Sequence, residues 1–178
     1  MMTLVAGMAV AKSVKEVTGL DVKIKWPNDV VINKKKTTGI LTEMGMSEGK
    51  ISYVVVGIGI NLNMESFPEE LAYKATSLKI ECGHEINRDE IAAALLFYFE
   101  QYYEKFEQTH NLGFLIEEYN NHLVNRGKEV LIKEKDGEYT GISRGINDKG
   151  ELLVEKKDGN CVEIFSGEVS VRGLYGYV

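Results

Sequence analysis

The residues best able to do chemistry lie in one stretch, Lys25-Trp26-Pro27-Asn28-Asp29-Val30-Val31-Ile32-Asn33-Lys34-Lys35-Lys36-Thr37-Thr38-Gly39-Ile40-Leu41-Thr42-Glu43. It sets an Asn-Asp pair, three consecutive lysines and a glycine among two apolar runs, Val30 to Ile32 and Ile40 to Leu41, which read as short strands. The pattern is a hairpin with a cationic tip. A lysine held by ladder bonds is placed more firmly than one on a free loop, and a fixed cation stabilises negative charge that develops during a reaction. The competing reading is plain: charge clusters at turns are ordinarily solvated. A second signal is Val56-Gly57-Ile58-Gly59-Ile60-Asn61-Leu62-Asn63, where glycines interrupt an apolar strand. Strand glycines mark either a bulge or a place where something approaches the backbone closely, and the residues alone leave both open.

Other chemistries find little support. His84, His110 and His122 stand in unrelated surroundings, and Cys82 and Cys161 have no metal-like spacing. There is no Ser-His-Asp order, zinc spacing or Walker-type glycine loop. With 178 residues, 44% hydrophobic, 27% charged and 2 prolines, the chain is expected to be globular, as one domain or one domain plus a small appendage. A net charge of −6 argues against a nucleic-acid partner, because phosphate neutralisation needs clustered Lys and Arg. Two thiols make no disulfide framework, so a reducing, cytoplasmic setting is expected. The apolar opening, Met1 to Val14, reads as a helix; it lacks the basic leader of a signal peptide and the length of a membrane span.

The elements that must position these residues follow from periodicity. Leu4, Met8, Ala11 and Val14 recur at helical spacing, and Gly19 closes that helix. Val22 to Trp26 alternates as a half-buried strand ended by Pro27. The β-branched run from Ile51 predicts a third antiparallel strand, and its continuous apolarity predicts a central strand covered on both faces. A short helix is expected around Phe67 to Leu71, a long one opened by Asn87 and running to about Gln108, and another over Phe114 to Leu123. Beyond Asn125, short apolar runs alternate with Asp136-Gly137, Asp148-Lys149-Gly150 and Asp158-Gly159-Asn160, which describes a small all-β unit. A boundary at about residue 125 separates 1–125 from 126–178.

Lys-Trp-Pro-Asn-Asp, Lys36 seven residues on, Gly39-Ile40-Leu41 and Glu43, then Val56 to Asn63, together resemble biotin protein ligase. The likeness continues through Ala75-Thr76-Ser77-Leu78, Gly141 to Ile146 and Ser166 to Arg172, so it covers nearly the whole chain. It implies an α+β fold akin to class II aminoacyl-tRNA synthetases, mostly antiparallel sheet with packed helices, plus a small C-terminal Src-homology-3-like β-barrel. It also implies an ATP-dependent ligase that activates biotin as biotinyl-5'-AMP and transfers it to a lysine of a biotin carboxyl carrier protein. In that reading Lys36 is catalytic and lies against the biotin carboxylate and the phosphates. Gly39, Gly57 and Gly59 approach biotin, Asn28 and Asn61 stand by ATP, and Glu168 and Arg172 face the site from the barrel. Mg²⁺ is expected with ATP, although no carboxylate cage is visible. Lys34 and Lys35 match no family function and are read as solvated.

The sequence departs from the family in one respect: it contains neither the Arg/Gly-rich loop that folds over biotin and the adenylate nor the Ser-Thr-Asn-like segment before it. The expectation is a C-terminal fragment of a longer ligase with impaired activity, whose exposed sheet edges offer a route to association such as a homodimer. A non-catalytic binding or assembly subunit and a lipoate-type ligase are the alternatives.

Overall fold

The computed structural model describes residues 1–134 and 137–165 in full and the backbone of 170–173. Helix α1, Met2–Thr18, ends where Gly19 takes φ 72° and returns its N–H to Lys15 O at 2.8 Å. Periodicity predicts one buried stripe, but every residue from Leu4 to Val14 except Lys12 is buried. The helix is covered on nearly all sides because its Ala, Gly and Val side chains let neighbours approach closely.

Over α1 lies a four-stranded antiparallel sheet in chain order: β1 Lys23–Lys25, β2 Asp29–Ile32, β3 Lys35–Ser47 and β4 Lys50–Ile60. Two-residue turns join β2 to β3 and β3 to β4. Positive φ at Asn33 (49°) and Lys34 (64°), and at Glu48 (51°) and Gly49 (76°), gives both the hairpin twist of type I′. The central, doubly covered position expected of the third strand is not found. β4 is the outermost strand of its sheet, and Ile51, Tyr53, Val54 and Val55 are exposed, as are Leu41, Met44 and Met46 of β3. β-Branched residues favour extended backbone wherever they stand, so an apolar run reports a surface suited to being covered and not a place within the sheet.

Three helical segments match expectation in kind: α2 Glu69–Ala72, α4 Arg88–Thr109, and the 3-10 turn Gly113–Leu115 leading into α5 Ile116–His122; the short helix α3 Leu78–Cys82, capped by Ser77, is not expected from the sequence. Asn87 caps α4 by accepting from Asp89 N at 2.9 Å. The apolar face of α4 packs on α1. A second antiparallel sheet comprises β5 Glu129–Glu134, β6 Gly137–Ile146, β7 Leu152–Glu155, β8 Cys161–Ile164 and β9 Ser170–Gly173, in the order β8-β7-β6-β5-β9. Hydrogen bonds tie it to the rest, among them one from Leu112 N to Asp148 O at 2.6 Å. The Trp26 indole donates to Gly150 O at 3.0 Å, and Asn120 on α5 accepts from Ile146 N at 2.9 Å beside Gly145 (φ 123°).

Glu118 on α5 joins three helices, pairing with Lys12 of α1 and accepting from the Tyr102 hydroxyl of α4 at 2.8 Å. Burial alone would raise its pKa, but the bonds from Lys12 and Tyr102 outweigh burial and hold the carboxyl below its ordinary 4.5. A carboxylate depressed in the folded state adds stability that is present above the unfolded value and lost as pH falls through the lower folded value. Glu118→Gln is therefore expected to lower the melting temperature near neutrality. The difference from wild type should shrink as pH drops below 4.5; a gap independent of pH would mean that the carboxylate charge is not what clamps the helices.

Candidate functional site

Strict alternation along β3 would put Lys36 and Gly39 on opposite faces of the sheet. A bulge prevents this. Val31 pairs with Lys36 and Val30 with Thr38, so Thr37 is the extra residue, anchored by its hydroxyl donating to Val30 O at 3.1 Å. The added residue turns Lys36 back onto the face of Gly39. On that face one cross-strand row runs Lys25, Asp29, Gly39, Gly59 through all four strands, with Gly57 two positions further along β4.

The Lys36 ammonium pairs with the Asp29 carboxylate. Its arm lies across Gly39, where an added Cβ would stand 3.1 Å from both Lys36 Cε and Nζ. Asp29 is nearly enclosed, with 11% of its side chain exposed, whereas Lys36 keeps 38%, so the ammonium still meets solvent. Lys36 does not belong to the hairpin tip, which is Asn33-Lys34. Its backbone donates to Lys74 O at 2.8 Å and accepts from Thr76 N at 2.9 Å, which fixes it from a second segment. Lys35 also departs from the solvated reading, because its ammonium reaches Ala72 O at 2.9 Å. Lys34 stays in the exposed turn.

Gly57 and Gly59 continue the β3–β4 ladder without interruption, opposite Leu41 and Gly39, so neither marks a bulge. An added Cβ would meet nothing closer than 3.7 Å at Gly57 and 3.9 Å at Gly59. The protein's own packing thus has no need of these glycines, and what they leave is a flat floor beside a half-exposed cation. Asn28 and Asn61 border the floor as braces. Asn28 accepts from Ile40 N at 2.9 Å through its backbone oxygen and donates to Ile40 O at 3.0 Å through Nδ2, while Asn61 Nδ2 donates to Thr76 O at 3.2 Å. Arg172 stands opposite Leu131 in the β5–β9 ladder; its side chain, like the whole of Glu168, lies outside the described residues. Sequence reasoning does not single out Asp29. Its signal is its register partner Gly39, legible only once the bulge is known.

Among the described residues no three His, Cys, Asp or Glu side chains gather to hold a metal ion, and the carboxylate nearest the floor is already paired with Lys36. The arrangement can receive a flat, uncharged ring on the glycines while its anionic end meets Lys36.

Two glycine classes are expected to separate in thermal denaturation. Gly57→Ala and Gly59→Ala should leave stability unchanged or raise it by up to about 1 kcal/mol, since the backbone accepts Ala and the unfolded chain loses freedom. Gly141→Ala places a Cβ 2.6 Å from Val154 Cγ1 and 2.7 Å from Glu155 O. It should cost about 1–3 kcal/mol by overpacking. Equal losses at all three positions would make the floor glycines structural.

Residues 1–61 match the Biotin/lipoate A/B protein ligase family, and residues 127–172 match the Biotin protein ligase C terminal domain. The bifunctional ligase/repressor BirA of Bacillus subtilis is 36% identical over 172 residues, covering 96% of this chain and 52% of that protein. A biotin acetyl-CoA-carboxylase ligase of Mycobacterium tuberculosis is 31% identical over 173 residues, covering 94% of this chain and 61% of that one. The chain spans about half the length of the curated relatives it matches. Biotin protein ligase from Aquifex aeolicus superposes with a TM-score of 0.85 at 32% identity, over 97% of this chain and 74% of that one. The Aquifex protein has also been solved in complex with biotin and ATP. With both sheets and α1 inside the matched residues, the chain belongs to the biotin protein ligase family.

Proposed function

We propose that this chain carries a ligase site that activates biotin with ATP and passes the acyl group to a lysine of a biotin carboxyl carrier protein domain. The observation that carries the reading is the Lys36 ammonium set by a bulge over Gly39, beside Gly57 and Gly59, in a chain of this family. In the first step a biotin carboxylate oxygen attacks the α-phosphorus of ATP. The new P–O bond forms as the bond to the β-phosphate breaks, and pyrophosphate leaves with the electron pair. In the second step the acceptor amine attacks the acyl carbon, AMP departs, and the amine proton passes to solvent. Lys36 supports both steps by facing the oxygens on which negative charge accumulates.

In this reading the glycine floor takes the biotin ring, and Asn28 and Asn61 hold the strands against which ATP lies. Arg172 reaches the phosphates with Glu168 orienting it. The described residues do not fit a dedicated Mg²⁺ cage, so Mg²⁺ arrives on the ATP phosphates, keeping its waters. Residues 1–125 are assigned to the catalytic domain and residues 126–178 to a small Src-homology-3-like barrel, an assignment supported among the described residues by a separate antiparallel sheet in the order β8-β7-β6-β5-β9. The sequence holds no Arg/Gly-rich loop to cover the adenylate, so turnover by these 178 residues alone is slow. The match of residues 127–172 to a biotin protein ligase domain favours biotin over lipoate. A binding or assembly subunit would bind ATP or biotin without releasing pyrophosphate.

Biotin-dependent ATP–pyrophosphate exchange tests the reading. Lys36→Ala should raise the barrier by about 2–4 kcal/mol, as loss of one preorganised charge contact does, with Lys34→Ala and Lys35→Ala as charge controls. Because one ion pair of Asp29 is lost at a partly exposed lysine, a stability cost of about 1 kcal/mol or less should accompany Lys36→Ala. Equal loss of exchange in all three variants would remove the assignment of Lys36.

The proposal extends to a homodimer, in which a second copy covers the exposed β4 edge and its apolar residues. Sedimentation should show concentration-dependent dimers that Ile51→Lys dissociates. Monomers at all concentrations would refute this part alone.

A further inference from the structure

Gly39 differs from the other two floor glycines. At Gly57 and Gly59 an added Cβ meets only backbone carbonyls at ordinary contact distance, whereas at Gly39 it meets the end of the Lys36 side chain at 3.1 Å. The space left by the missing side chain is already used by the protein itself. We propose that Asp29, Lys36 and Gly39 form one positioning unit, in which Asp29 holds the Lys36 ammonium over the floor and Gly39 is glycine so that the lysine arm can lie there. The proposal deepens the reading of Lys36 given above and rests on it for its catalytic consequence.

Several observations converge on the unit. Asp29 and Gly39 are direct partners in the β2–β3 ladder, so the carboxylate and the open space are fixed relative to each other by backbone bonds. The Asp29 side chain is short and enclosed, whereas the lysine arm is long and flexible; pairing the two confines the mobile partner with the rigid one. The backbone of Lys36 is held separately by Lys74 and Thr76, which leaves only the arm to be placed. Asp29 occupies part of the ammonium's hydrogen-bonding capacity, and the Lys36 side chain, its end over Gly39, keeps 38% of its surface exposed to meet an anionic group. A carboxylate beside a catalytic cation also weakens its attraction for anions. The unit therefore exchanges some ground-state affinity for placement, which serves the transition state when charge builds at one point.

This leads to a split in kinetic constants that a purely structural role would not give. Asp29→Asn keeps the shape but removes the charge. Exchange measured on the full chain should show kcat reduced by about 10- to 100-fold while KM for biotin is unchanged or lower. Gly39→Ala should push the lysine arm off Asp29 and reproduce that effect, and the double variant should be no worse than the poorer single one. Multiplying losses would show that Gly39 acts on the ligand independently of Asp29 and would overturn the unit.

A second readout needs no turnover. In carbon-13 spectra of the ligand-free chain, the Asp29 carboxyl signal should move in Gly39→Ala in the direction that it moves in Lys36→Met. An Asp29 signal that ignores Gly39→Ala would also overturn the proposal. Absence of any biotin-dependent exchange in the wild type would instead remove the ligase reading and leave the spectra to decide the unit.

Discussion

The single extra residue between β2 and β3 is the constraint on which the site depends. Register in a hairpin decides which side chains share a face, and a shift of one residue exchanges the faces completely. With Thr37 outside the pairing, Lys36 joins Asp29 and Gly39; without it, Lys36 would face α1, where Val30 and Ile40 are buried. The type I′ turn at Asn33-Lys34 fixes the near end of this register, and the Asn28–Ile40 backbone and side-chain bonds fix the far end. The bulge is thus held between two clamps. Such enclosure allows a local irregularity to persist and to aim a side chain.

The rest of the molecule supplies rigidity to that hairpin. α1 presses against the face opposite the floor through small and β-branched residues. Trp26, at the end of β1, reaches across to Gly150, so the strand entering the hairpin is tied to the second sheet. The segment Lys74–Thr76 pairs with Lys36, and the same segment takes the amide of Asn61, bringing β3, β4 and the loop after β4 into one hydrogen-bonded patch. The site therefore stands on paired strands and their immediate braces, where placement is better than on a free loop.

Much of this was legible before the coordinates. The helix from Met2 closed by Gly19, the Asn87 cap, the apolar runs on either side of Lys34 to Lys36 and the turns at Asp148-Lys149-Gly150 and Asp158-Gly159-Asn160 are local signals that survive in the fold, while the turn expected at Asp136-Gly137 lies partly outside the described residues. The family blocks pointed to Lys36, Gly39, Gly57 and Gly59, and the register brings these four to one face. What stayed hidden was non-local. Nothing in Thr37-Thr38 tells which threonine leaves the ladder, so neither the facing of Lys36 nor the importance of Asp29 could be read. The edge position of β4 is not legible in the sequence, because apolarity records what a strand prefers to touch, not whether a neighbour pairs with it. The side-chain amides of Asn28 and Asn61 also bond the main-chain oxygens of Ile40 and Thr76, a bracing duty that the residue type alone does not reveal.

The central claim is that the face bearing Lys36 and the glycines receives the reacting acyl and phosphoryl groups. A crystal structure of the chain with a non-hydrolysable mimic of biotinyl-adenylate tests it most directly. The account predicts the ring system over Gly57 and Gly59, with the Lys36 arm lying across Gly39 and its Nζ at about 3 Å from an oxygen of the group replacing the acyl phosphate, an ordinary charge-assisted hydrogen-bond distance. A mimic seated away from the floor, or a Lys36 turned from it toward solvent, would contradict the account.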